Sequence, residues 1–96
     1  MMHETGIVRN LVAHIVRAAQ DNGANRVGAV HIWIGALTPF SPEHFREHFE
    51  EEARGTAVEG ATLHIEPSSD VHHAQAQDVI LQQLDLEVPA SEGDTT

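Results

Sequence analysis

The chain opens Met1-Met2-His3-Glu4, which brings an amine, backbone amides and an imidazole within reach of one metal ion. An all-nitrogen donor set of this kind suits square-planar Ni(II) or Cu(II). If Met1 is retained, the amine, deprotonated amides and the His3 imidazole close fused chelate rings, and such a site needs no folded protein. If Met2 is the first residue, fewer amides are available, and Glu4 or a partner's ligand must complete the sphere. The plainer alternative is a translation start followed by a solvated histidine. Met1, Met2, His3 and Glu4 are therefore the candidate metal ligands.

Eight histidines in 96 residues raise the same question elsewhere. His44 and His48 lie four apart, so on a helix they share a face and could chelate one divalent ion, with Glu47, Glu51 or Glu52 nearby. No third ligand is specified, and an ordinary solvated face is the simpler account. His72-His73 falls in a polar stretch; two adjacent histidines without further ligands do not make a closed tetrahedral site. His14 lies too far along a helix from His3 to share its metal and reads as a surface or interface residue.

These side chains need elements to hold them. From Thr5 to Asp21, Ile7, Val8, Leu11, Val12, Ile15, Val16 and Ala19 recur at the spacing of one helix face, and Asn22-Gly23 stops the helix. In the strand that follows, Val30, Ile32 and Ile34 alternate with His31 and Trp33. An exposed Trp33 on the second face, with His31 and His64, would mark a surface for dimerisation or docking. Ser41-Pro42-Glu43 reads as an N-cap, a first-turn proline and a carboxylate at the positive end of a second helix. Phe45, Phe49 and Ala53 form its thin apolar stripe, and Arg54-Gly55 ends it. A second strand runs to Pro67, with Ala61, Leu63 and Ile65 alternating against Thr62, His64 and Glu66. A third covers Val79 to Val88, and its parity breaks at Gln82-Gln83, implying a bulge or a change of face.

The order helix, strand, helix, strand, strand predicts an α/β (α+β) unit, two helices packed on one face of a small three-stranded mixed sheet. Residues 1–88 are expected to form one unit, with 67–78 a loop and 89–96 a disordered acidic tail. A formal charge of -10 repels phosphate backbones and anionic lipid, so neither nucleic acid nor membrane is an expected partner. No cysteine is present, which excludes thiolate metal sites and cysteine nucleophiles. His3 and Glu4 stand where a secretory leader would be basic and apolar, which implies the cytoplasm. No nucleophile elbow, phosphate-binding glycine loop or zinc-protease motif occurs, and an enzyme is not expected.

In its ordered motifs the sequence resembles the HypA/HybF nickel-insertion proteins that mature nickel-iron hydrogenases. The motifs are Met2-His3-Glu4, GANRV, IGAL after an apolar strand, a phenylalanine-bearing helix, RGTAVEG, LHIE and the closing QQLDLEV. The resemblance implies Ni(II) held near Met2, His3 and Glu4, and a protein partner, either a nickel-enzyme precursor or a maturation accessory of the GTPase type. It also implies that the family's zinc domain, with two Cys-x-x-Cys pairs, is replaced here by the 67–78 segment carrying His72 and His73, so that no structural zinc is expected. Two functions follow: a metallochaperone-like accessory protein for a nickel enzyme, or an interaction or assembly module of the same fold, for instance a homo-oligomer.

Overall fold

The computed structural model describes residues 4–89. The first helix, α1 (Glu4–Asp21), buries Val8, Val12, Ile15 and Ala19, the stripe that the three-and-four spacing requires. It ends where Gly23 takes φ +70°, a left-handed conformation without penalty for glycine, while the Asn22 side-chain amide donates to the Ala18 carbonyl at 2.7 Å.

Strand β1 (Arg26–Ile34) is central, in a sheet of order β2-β1-β3. It pairs in parallel with β2 (Thr62–Pro67) and antiparallel with β3 (Val79–Glu87), so the sheet is mixed. Val27 faces inward at an odd position, whereas Val30, Ile32 and Ile34 face inward at even ones. A register shift between Val27 and Ala29 makes the change, leaving Gly28 as the extra residue. The parity break at Gln82-Gln83 has the same explanation. His31 pairs with Gln83 and Ile32 with Leu81, so Gln82 is the bulged residue, and Val79, Leu81, Leu84 and Leu86 all pack against the core. The break is thus a bulge that keeps one face inward.

Helix α2 (Pro42–Ala53) begins at a Ser41 cap whose hydroxyl accepts from the His44 amide at 3.1 Å. Its Phe45 and Phe49 are buried, and Phe40 meets Phe45 edge to face at 5.3 Å between centroids. Both helices cover the inward sheet face. Because β1 and β2 run parallel with α2 between them, and short turns reverse the chain on either side of β1, α1 and α2 run in the same direction. Ile7 of α1 accordingly lines one cleft with Phe40, just ahead of α2.

The segment expected as a polar loop over 67–78 is, from residue 68 on, a run of turns fastened to the end of β1. Ser68 donates its amide to Ile34 at 2.8 Å, Gly35 donates to Asp78 at 2.9 Å and Leu37 to Ala76 at 2.7 Å. Ala76 is buried, and a Cβ at Gly35 would collide with its carbonyl oxygen. The expected disordered tail lies outside the described residues, apart from Pro89.

Candidate metal centre

Of the N-terminal donors, Met1, Met2 and His3 lie outside the described residues, and Glu4 is the first residue of α1. The parallel helices put the start of α1 at the same pole of the molecule as the start of α2.

Phe45, Phe49 and Ala53 point into the core, and this fixes the rotation of α2 about its axis. One flank then carries Arg46, whose guanidinium donates to the Leu63 carbonyl of β2 at 3.0 Å. The other flank carries the row His44, His48 and Glu52, at the four-residue spacing that aligns side chains along a helix. This second flank faces α1, because Glu52 pairs with Arg9 at 3.5 Å. His44 is exposed, while His48 and Glu52 are half-buried in the seam. The two imidazole centroids are 5.4 Å apart with 48° between planes.

His72 and His73 are on the other side of the sheet. The His73 ring lies against Trp33 at 4.9 Å between centroids, and Trp33 is an outward residue of β1. Trp33 is thus half-buried under the 68–78 segment rather than an open docking residue, since small Ala76 seats that segment and His73 covers the indole. His73 Nδ1 accepts from the Gln75 amide at 2.9 Å, and the His72 amide donates to Asp70 Oδ1 at 3.0 Å. An imidazole accepting through Nδ1 carries its proton on Nε2 and has no lone pair left for a metal. The His73 ring is therefore committed to the turn in which it sits, whereas His72 joins that turn through its backbone amide. His14 is exposed on α1.

On the same outer face His31 and His64, directly opposite in the parallel register, stack at 4.4 Å between centroids. Asp85 Oδ2 lies 3.8 Å from His31 Nε2, and Gln83 donates to Asp85 Oδ1 at 2.8 Å. Among the described residues no three His, Asp or Glu side chains converge as a metal cage, and the chain has no cysteine, so these residues do not fit a closed thiolate zinc site.

The spacing of His44 and His48 was readable in the sequence, but the seam they line was not. Its only local signal was the continuation of the same spacing to Glu52, which the sequence offered as a further ligand and the fold uses to hold Arg9. Among the described residues, no helix is long and apolar enough to cross a membrane.

Comparison with known proteins joins this geometry to a lineage. The sequence model of the family described as "Hydrogenase/urease nickel incorporation, metallochaperone, hypA" matches residues 2–88. The hydrogenase maturation factor HypA of Chloroflexus aurantiacus is 42% identical over 65 residues, 68% of this chain and 57% of the relative. The hydrogenase maturation factor HybF of Escherichia coli is 33% identical over 95 residues, 97% of this chain and 84% of the relative. The chain spans about half the length of the HypA relatives it matches. In fold it resembles the solution structure of the Ni metallochaperone HypA from Helicobacter pylori, at a TM-score of 0.76 and 20% identity, covering 92% of this chain and 100% of that one. The chain belongs to the HypA/HybF family, a family of nickel-incorporation metallochaperones.

Proposed function

We propose that the protein binds Ni(II) as cargo through its N-terminal amine, the backbone of Met1 or Met2, His3 and Glu4, and delivers it to a nickel enzyme under assembly. The observation that supports this most is the reach of the family match, which takes in Met2-His3-Glu4 and runs without a cysteine to the end of β3. Delivery is ligand exchange without redox chemistry: donors of the recipient displace the amine, the imidazole and the carboxylate in turn. Such a protein is an accessory rather than an enzyme, holds no structural zinc and works in the cytoplasm. Its partners are a hydrogenase-type precursor or a GTPase-type maturation factor, and residues 1–88 act as one unit in which 67–78 stands in place of a zinc domain.

The test is titration of Ni(II) into protein with its native start, beside His3→Ala. Stoichiometric uptake lost in the variant supports the reading, and equal affinity in both ends it.

A second reading has its own support in the absence of cysteine from the chain. Without a thiolate zinc site, the fold would serve as an interaction or assembly module, for instance as a homo-oligomer. A native-start sample that takes up no nickel yet forms a stable complex with a co-expressed maturation protein favours this alternative.

A further inference from the structure

Strand β3 is the outermost strand on its side of the sheet, and its far edge pairs with no other strand among the described residues. Gly35 donates to Asp78, so in the antiparallel alternation Asp78 and Ile80 turn their backbone groups to β1, while Val79 and Leu81 turn theirs to the open edge. Past the bulge at Gln82 the alternation resumes one residue later. The Val27 amide donates away from β3, to Ala57, so its partner Leu86 faces the open edge, and so does Leu84. The same four residues carry the inward side chains of β3, and each of them is only half-buried.

Their spacing is a palindrome: steps of two, three and two residues separate Val79, Leu81, Leu84 and Leu86. Laid antiparallel on a copy of itself, about an axis between Gln82 and Gln83, the strand sets Leu81 opposite Leu84 of the second copy and Val79 opposite its Leu86. The opposed residues are those whose backbone groups face each other. A shift by one residue sets all four against outward side chains, and a shift by two misaligns the bulges. A bulge ordinarily guards a sheet edge, because few strands share its extra residue. A second copy of this chain is the strand that does.

The side chains beyond the strand end point to the same occupant. A cleft of about 500 Å³ opens beside the start of β3, lined by Ile7, Phe40, Gln77, Val79 and Leu81 among others. Val88, just past the other end of β3, is 58% exposed. In the palindromic register Val88 stands opposite Gln77 of the second copy, next to the Leu86–Val79 pair, and so at that cleft.

We infer that the protein forms a two-fold dimer with a second copy of itself through the open edges of β3, a continuous sheet in which Leu86 and Val88 of each copy fill the other's cleft. This rests on the second reading above, whose homo-oligomer it makes specific, and it does not depend on nickel. On the outward face Gln82 and Gln83 meet their counterparts at the axis, where each amide both donates and accepts, and Ile80 meets Asp85. Asp78 and Glu87 form a like-charged pair at the outer ends, and Arg26, 3.8 Å from Glu87, offsets it.

The experiment is sedimentation velocity of the full chain over a concentration series, with Val88→Glu, and with Val71→Glu as a control at a comparably exposed valine outside the interface. Circular dichroism verifies the fold of each variant. The expected result is a reversible monomer–dimer equilibrium, with association at least about tenfold weaker in Val88→Glu and unchanged in the control. The chain has no cysteine of its own, so introduced thiols report the register. The double variant Ile80→Cys/Asp85→Cys should cross-link on mild oxidation, since opposed Cβ atoms lie about 4.5–5.5 Å apart. Either single variant should not, because its two thiols stand five positions apart, about 17 Å.

A chain that stays monomeric throughout overturns the inference together with the homo-oligomer, and leaves the nickel reading standing. A dimer that Val88→Glu leaves unchanged overturns this interface and leaves the homo-oligomer standing. No cross-link in the double variant, or an equal one in the single variants, overturns the register, and species larger than a dimer overturn the two-fold arrangement. If Val88→Glu fails to fold, the cross-link decides alone.

Discussion

The imidazole rings of His31 and His64 stack across the parallel strands β1 and β2 at 4.4 Å between centroids, with 12° between their planes. Opposed side chains on one sheet face are the unit in which strand pairing gains specificity. A double-mutant cycle over His31→Ala and His64→Ala, read by urea unfolding, should give a coupling of about 0.2–1 kcal/mol. Additive effects would mean that the stack is an accident of proximity.

Gly35 gives a sharper expectation, since the obstacle is backbone. Its missing Cβ is where the Ala76 carbonyl sits, and neither the strand nor the turn can yield as a side-chain tip can. Gly35→Ala should cost about 1–3 kcal/mol, the range for overpacking. The 68–78 segment should lift from the sheet and take His73 away from Trp33. Tryptophan emission reports this directly, and an unaltered spectrum with unaltered stability would refute it.

The core should be least tolerant at α2. Phe49 is almost fully buried and stacks with Phe45 at 6.1 Å between centroids. Truncation to alanine should cost about 3–5 kcal/mol. Against a total stability of about 5–15 kcal/mol, that loss should lower the urea unfolding midpoint of Phe49→Ala by a large fraction of its unaltered value, as read by circular dichroism. Ser41→Ala, which removes only the cap, should cost about 0.5–2 kcal/mol and leave the protein folded.

Nickel uptake should weaken in acid. An amine or imidazole binds metal only after losing its proton, so binding releases protons and the affinity falls as pH falls. Calorimetry at about pH 7.5 and about pH 5.5 should show at least a tenfold loss. Repeating the higher-pH titration in buffers of different ionisation enthalpy should show the released protons. Equal affinities at the two values would count against nitrogen ligation.

Much of the scaffold was legible from local chemistry. The stop at Asn22-Gly23, the Ser41-Pro42 start and the bulge near Gln82 each depend on residues adjacent in sequence, and each appears where those residues place it. The bulge at Gly28 escaped notice because an isolated glycine in a strand signals a bulge only weakly, and the valines on either side read as one continuous apolar run. The seating of the 68–78 segment escaped for a different reason. Its anchor, Ala76, is a small residue in a polar stretch, and its docking groove exists only because Gly35 lacks a side chain. The candidate site divides in the same way: the helical spacing of His44 and His48 is local, whereas their placement in the seam with α1 is set by two chain reversals and the Arg9–Glu52 pair. The terminal residues Met1, Met2 and His3 lie outside the described residues.

Both ends of the 68–78 segment are tied to neighbouring residues of a single strand, Ser68 to Ile34 and Asp78 to Gly35. Whatever the polypeptide does between those two knots, the sheet receives the same boundary. A longer excursion at that point would add only a slowly growing closure entropy, and a shorter one need only bridge the same gap. The fold thus carries a socket at which evolution or an engineer could splice in or remove an entire module while the helix pair and its histidines stay in register.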